Sequence, residues 1–124
     1  MVTRRGFTLI ELLVVMAIIA TLLSIALPRY YGSVKRSEEA TLRQNLSLMR
    51  DAIDKHYADT GRYPETLDEL VSKRYLRSLP RDPVTSASDT WIAVPPPPPE
   101  LGRIYDVHSG SEATALDGSA FNTW

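Results

Sequence analysis

Glu11 is the only ionisable side chain between Arg5 and Arg29, and it stands one turn into an apolar run. At the centre of a membrane an ionised side chain costs about 2.5–3.5 kcal/mol on insertion scales, and less at the interface, so a carboxylate there calls for a positive partner or free N–H donors. Two histidines are the other candidates for chemistry. His56 lies beside an apolar helical stripe, and His108 adjoins Ser109. A Ser-His-acid site needs a positioned nucleophile, an oxyanion hole and a pocket. A chain of 124 residues whose core must cover one helix leaves little room for a pocket, so "HSG" reads as a turn. There is no cysteine, which excludes a disulfide framework, a thiolate zinc site and a cysteine nucleophile. The net charge is -1, with basic and acidic residues alternating. No clustered basic field tracks phosphates, so nucleic acid is not an expected partner.

The element that must position Glu11 runs from Phe7 to Leu27 and is apolar apart from Thr8, Glu11, Thr21 and Ser24. As a helix it spans roughly 30 Å, the thickness of a bilayer core. The basic start resembles a secretory signal, but the run is longer and no A-x-A site precedes Pro28, so a retained membrane helix is expected. Arg4 and Arg5 put the N-terminus in the cytoplasm and the remainder outside, in a bacterium the periplasm. Pro28 removes one helical hydrogen bond and predicts a kink or local break. Beyond it, Leu42, Leu46, Met49, Ile53 and Tyr57 recur at spacings that share one helical face, and Gly61 follows as a C-terminal cap.

That stripe needs a cover from residues 62–124. Thr66 with Glu69 forms a capping-box pattern for a short helix from Leu67 to near Lys73. "SLPRDP" is a stiff connection. Residues 90–94 and 103–107 are β-branched and aromatic and predict two antiparallel strands, joined by a loop containing five consecutive prolines. The end of the chain predicts an irregular segment whose Leu116, Phe121 and Trp124 pack back on the sheet or helix. The fold class is α+β: a long N-terminal helical spine with a small antiparallel sheet on its wet half.

Residues 6–11, "GFTLIE", with the long apolar run and Pro28, resemble the processing signal of type IV pilins and the related pseudopilins of type II secretion. The resemblance implies a pilin-like fold with a leader at 1–6, a transmembrane and filament-core helix at 7–28, an amphipathic half at 29–60 and a periplasmic head at 61–124. It also implies cleavage between Gly6 and Phe7 by a prepilin peptidase, and N-methylation of Phe7. The new Phe7 amine lies four residues before Glu11, so the two share a helical face. Glu11 can then satisfy its own chain, or meet the amine of a neighbouring copy in a filament.

"RYP", a short helix, "YLRSLPRDP" and a final "YDVHSGSEATALDGS" are further similar to the G-type major pseudopilins. That resemblance implies a non-enzymatic homopolymer, held in the inner membrane and then extracted into a periplasmic filament that drives export of folded proteins. Its implied partners are the peptidase, an inner-membrane platform protein, an assembly ATPase and minor pseudopilins. Members of that family commonly bind calcium in the final loop, and Asp117 is the candidate ligand here. Only Glu112 and Asp117, with Asp106 upstream, offer carboxylates, so an ordinary turn at "LDG" is the competing reading. Type IV or minor pilins, and a membrane-anchored binding domain that never polymerises, are the alternatives. If Glu11 sets register, Glu11→Ala should insert and be processed but assemble poorly. Normal filaments counted by electron microscopy would refute that role.

Overall fold

The computed structural model describes residues 6–124. Arg4 and Arg5, on which the expected orientation rests, lie outside the described residues, as does the expected leader before Gly6. The elements are α1 (Leu9–Thr60), α2 (Leu67–Ser72), β1 (Ile92–Val94), β2 (Asp106–His108) and a final 3-10 turn, Phe121–Thr123. This is the expected α+β arrangement, a long apolar N-terminal helix and a small two-stranded antiparallel sheet. The chain divides between Lys35 and Arg36 into two compact units.

In the first unit the large apolar side chains from Leu9 to Leu27 are all exposed. The stretch belongs to a helix long and apolar enough to cross a membrane. Its two mid-run hydroxyls are satisfied internally: Thr21 donates to the Ala17 carbonyl at 2.8 Å and Ser24 to that of Ala20 at 2.7 Å. In an apolar surround such back-bonding removes the cost of an unpaired hydroxyl. α1 runs through Pro28, so of the two outcomes expected there the break does not occur. Proline withdraws a single N–H, and intact turns on both sides carry the helix across it.

In the second unit, Leu42, Leu46, Met49, Ala52, Ile53 and His56 are the buried residues of α1. Tyr57 at the end of the stripe is half-buried and stacks on Tyr63, 4.5 Å between centroids. Each fully buried aliphatic side chain contributes about 1.5–3 kcal/mol. The cover consists of Leu70, Trp91, Ile104, Val107, Ala115 and Phe121. Gly61 caps α1 as expected, with φ +74° and its N–H donating to the Tyr57 carbonyl at 2.8 Å.

The strands are shorter and shifted relative to the expected 90–94 and 103–107. Ile92 pairs with His108, Ala93 with Val107 and Val94 with Asp106. Arg103 and Ile104 leave the ladder because both N–H groups donate to the Pro64 carbonyl, at 3.1 and 3.0 Å. Trp91 is drawn out on the other side, its indole donating to the Pro80 carbonyl at 2.9 Å. Gly102 sits where this crossing is tightest: φ is +108°, and a Cβ would lie 2.1 Å from the Tyr63 carbonyl oxygen. Leu116, expected in the core, is 53 % exposed, and neighbouring Ala115 is buried instead.

α2 begins as the capping pattern predicts, with one difference. Thr66 Oγ1 accepts the Glu69 N–H at 3.2 Å, but Glu69 Oε2 reaches one residue further back, to the Glu65 N–H at 2.7 Å. The Glu65 N–H and then the Lys73 ammonium, whose Nζ is 2.9 Å from Oε1, hold the Glu69 carboxyl down at about 2. Buried His56 faces the same carboxylate, Nε2 to Oε1 3.4 Å, while its Nδ1 donates to the Arg62 carbonyl at 2.9 Å. A carboxyl depressed by folding contributes stability above its unfolded value and loses it as pH falls through the folded one. Stability followed by circular dichroism should therefore decline between about pH 4.5 and about pH 2, and less steeply in Glu69→Gln.

Candidate functional site

The first-turn donors of α1 decide what Glu11 does in the single chain. Thr8 is not helical, and its Oγ1 accepts the Glu11 N–H at 3.1 Å. The Glu11 carboxylate Oε2 in return accepts the Thr8 N–H at 3.0 Å. The two form a reciprocal capping box on donors that no helical carbonyl can reach. The positive end of the helix dipole adds to the same preference for an acid. Among the described residues no basic side chain forms an ion pair with Glu11. The Thr-x-x-Glu spacing records this cap in the sequence, and the free N–H donors expected as one solution for Glu11 include the Thr8 N–H that it takes.

Gly6 and Phe7 precede this cap outside the helix. Nothing lies within 4 Å of a Cβ built on Gly6, and Phe7 is 90 % exposed. The link between them is therefore accessible and lies ahead of α1, which begins at Leu9.

The histidine and serine at 108 and 109 do not form a catalytic pair. Ser109 Oγ donates to Asp82 Oδ2 at 2.5 Å, and both residues are fully buried. Asp82 Oδ1 meanwhile accepts the Val84 N–H at 2.8 Å, which closes the turn after "PRD". His108 Nδ1 donates to the main-chain oxygen of Trp124 at 2.8 Å. Each group is committed to holding a loop, and sequence reasoning missed Asp82 in that part. Its signal was an aspartate between arginine and proline, a frequent turn opener.

Asp117 is engaged in its own turn. Its Oδ1 accepts the Ser119 hydroxyl at 2.6 Å and the Ser119 N–H at 2.9 Å, and that hydroxyl hydrogen bond first holds its carboxyl below the usual range. Gly118 supplies the positive φ, +86°. Glu112 is exposed, and Asp106 Oδ1 is bound by Arg50 Nε at 2.7 Å. Among the described residues no three acidic or histidine side chains converge on a point that could hold a metal. Asp117, the expected ligand, is thus taken up by Ser119, and Asp106 by Arg50.

An apolar exposed helix opened by an acid-bearing cap, followed in the chain by a small α+β unit built on one helical stripe, defines a pilin-like protein. Residues 1–27 match the family model described as the prokaryotic N-terminal methylation motif. The chain is 32% identical to type II secretion system core protein G of Klebsiella pneumoniae, over 64% of this chain and 69% of that one. It is 41% identical to fimbrial protein EcpC of Eikenella corrodens, over 70% of this chain and 58% of the relative. With the type IV major pilin protein PilA of Myxococcus xanthus it shares 36% identity, over 53% and 30% of the two chains. No solved structure matches. The chain belongs to the family of type II secretion system core protein G. The helix and motif together fit anchoring in the inner membrane.

Removing the capping hydroxyl should cost about 1 kcal/mol of local helix stability. In Thr8→Ala the Glu11 amide should exchange roughly 5-fold faster in micelles, with Thr8→Ser close to the parent. Unchanged exchange in Thr8→Ala would show that the cap contributes nothing.

Proposed function

We propose that this chain is a structural, non-enzymatic subunit, the major pseudopilin of a type II secretion system. It polymerises into a periplasmic pseudopilus that drives export of folded proteins across the outer membrane. The observation that carries this reading is the Thr8–Glu11 capping box at the head of an exposed apolar helix, directly after an accessible Gly6–Phe7 link. Family membership supports the secretion branch.

A prepilin peptidase hydrolyses the Gly6–Phe7 amide, leaving a carboxyl on Gly6 and a free amine on Phe7, which is then methylated. The helix stays in the inner membrane with its N-terminus cytoplasmic and residues 61–124 in the periplasm. While the subunit is alone, Glu11 keeps the Thr8 N–H. When an assembly ATPase and a platform protein move it into the growing filament, its carboxylate meets the Phe7 amine of a neighbouring copy. Breaking such a buried pair by removing one partner costs roughly 3–5 kcal/mol, so a subunit halted at the wrong height is penalised. Pro28 is the point at which the helix bends to follow the filament. Minor pseudopilins are further partners of the polymer, and neither nucleic acid nor calcium is required.

The likeness to EcpC and PilA favours a second reading, a type IV or minor pilin. Long fibres on the cell surface would select it. Both readings depend on processing. The intact mass of the mature protein should correspond to a chain beginning at methylated Phe7, and to one beginning at Met1 when the peptidase is deleted. A chain that keeps Met1 in the presence of the peptidase would instead indicate an anchored domain that does not polymerise.

A further inference from the structure

Residues 109–124 contain little regular structure, one 3-10 turn and the bridge between Thr114 and Ala120. Three side chains of α1 nevertheless hold this segment and the strand before it. Glu39 Oε1 accepts the Leu116 N–H at 2.6 Å. The Arg43 guanidinium lies 4.3 Å from the centroid of the Trp124 ring, a cation–π distance. Arg50 does most: Nε donates to Asp106 Oδ1 at 2.7 Å, and Nη2 donates to the Val107 carbonyl at 3.0 Å and to the main-chain oxygen of Trp124.

One carboxylate and two main-chain oxygens, drawn from two separate stretches of chain, are the donor types that a hard divalent cation gathers. Here they converge on a guanidinium. Its planar fork of N–H donors can serve several oxygens at once, and its charge cannot be titrated away. Asp106 contributes one negative charge, which Arg50 balances. His108 Nδ1 also donates to the Trp124 oxygen, at 2.8 Å, so that oxygen is fully occupied. A divalent ion would have to displace a positive group from Asp106, while Asp117 serves Ser119 and Glu112 faces solvent.

We infer that Arg50 is the organising cation of the C-terminal segment, closing residues 106–124 onto α1 without a metal. The role belongs to the folded unit itself and stands apart from assembly, so its failure would leave processing at Gly6 untouched.

The test uses the full chain in detergent, with hydrogen exchange of residues 107–124 and thermal melting read in excess calcium and in EGTA. The parent should melt at the same temperature in both. Arg50→Gln should exchange about tenfold faster or more at Val107 and through residues 119–124, relative to α1 amides, and calcium should not restore it. Should Arg50→Gln fail to fold, Arg50→Lys keeps the charge and stem but cannot reach three oxygens, and should show the same pattern in milder form. Calcium raising the parent's melting temperature, calcium rescuing Arg50→Gln, or full protection in Arg50→Lys would each overturn the inference.

Discussion

Everything in the unit from Arg36 to Trp124 depends on the burial of one face of α1. The face is made by Leu42, Leu46, Met49, Ala52, Ile53 and His56. Two strands of three residues are not independently stable in water, and a domain of this size buries a modest share of its surface. The sheet, α2 and the final turn are therefore ordered because each sets one or two apolar side chains on the same strip. Polar contacts fix where each cover segment lies along it. Asn45 holds the Arg81 carbonyl, Arg50 holds β2, and Glu39 holds the loop at Leu116. Hydrophobic contact is non-directional, and these few hydrogen bonds supply the direction.

What could be read in advance was whatever sequence records locally. The period of the α1 stripe, the glycine that ends it and the Thr66 cap were legible because each is a relation among residues four or fewer apart. The strand limits were not. They are set by the Pro64 carbonyl, which takes two N–H groups that alternation alone would assign to a ladder. Nothing in the sequence sets Arg50 apart from the other charges of the spine, because its partners are mostly main-chain oxygens more than fifty residues away, and no residue type announces those. Leu116 faces solvent, against expectation, for a related reason: its N–H donates to the Glu39 carboxylate, and neighbouring Ala115 is buried instead.

Glu11 shows a different limit. The sequence left two solutions open for the acid, its own chain and a neighbour's amine. The capping box shows that the isolated chain already has a solution of its own. Under the proposed assembly the carboxylate exchanges one set of positive groups for another. Leaving a cap forfeits about 1 kcal/mol. An acid left buried without any partner loses several times as much. The exchange is thus favourable only where the second partner is in place, which makes the cap a resting position and gives a subunit no reason to move early.

The five-proline loop carries a consequence of another kind. Both of its ends are pinned, at Val94 by the strand pair and beyond Glu100 by the Tyr63 N–H on the Leu101 carbonyl and by the Pro64 carbonyl on Arg103 and Ile104. Between these anchors the chain is mostly exposed and contributes nothing to the buried cluster. Doubling the length of such a loop costs only about 0.6 kcal/mol in closure entropy. This makes residues 95–100 a seam where sequence can be added or lost while the core keeps its register. Were the subunit repeated along a fibre, a short peptide spliced there would be displayed once per copy at regular intervals.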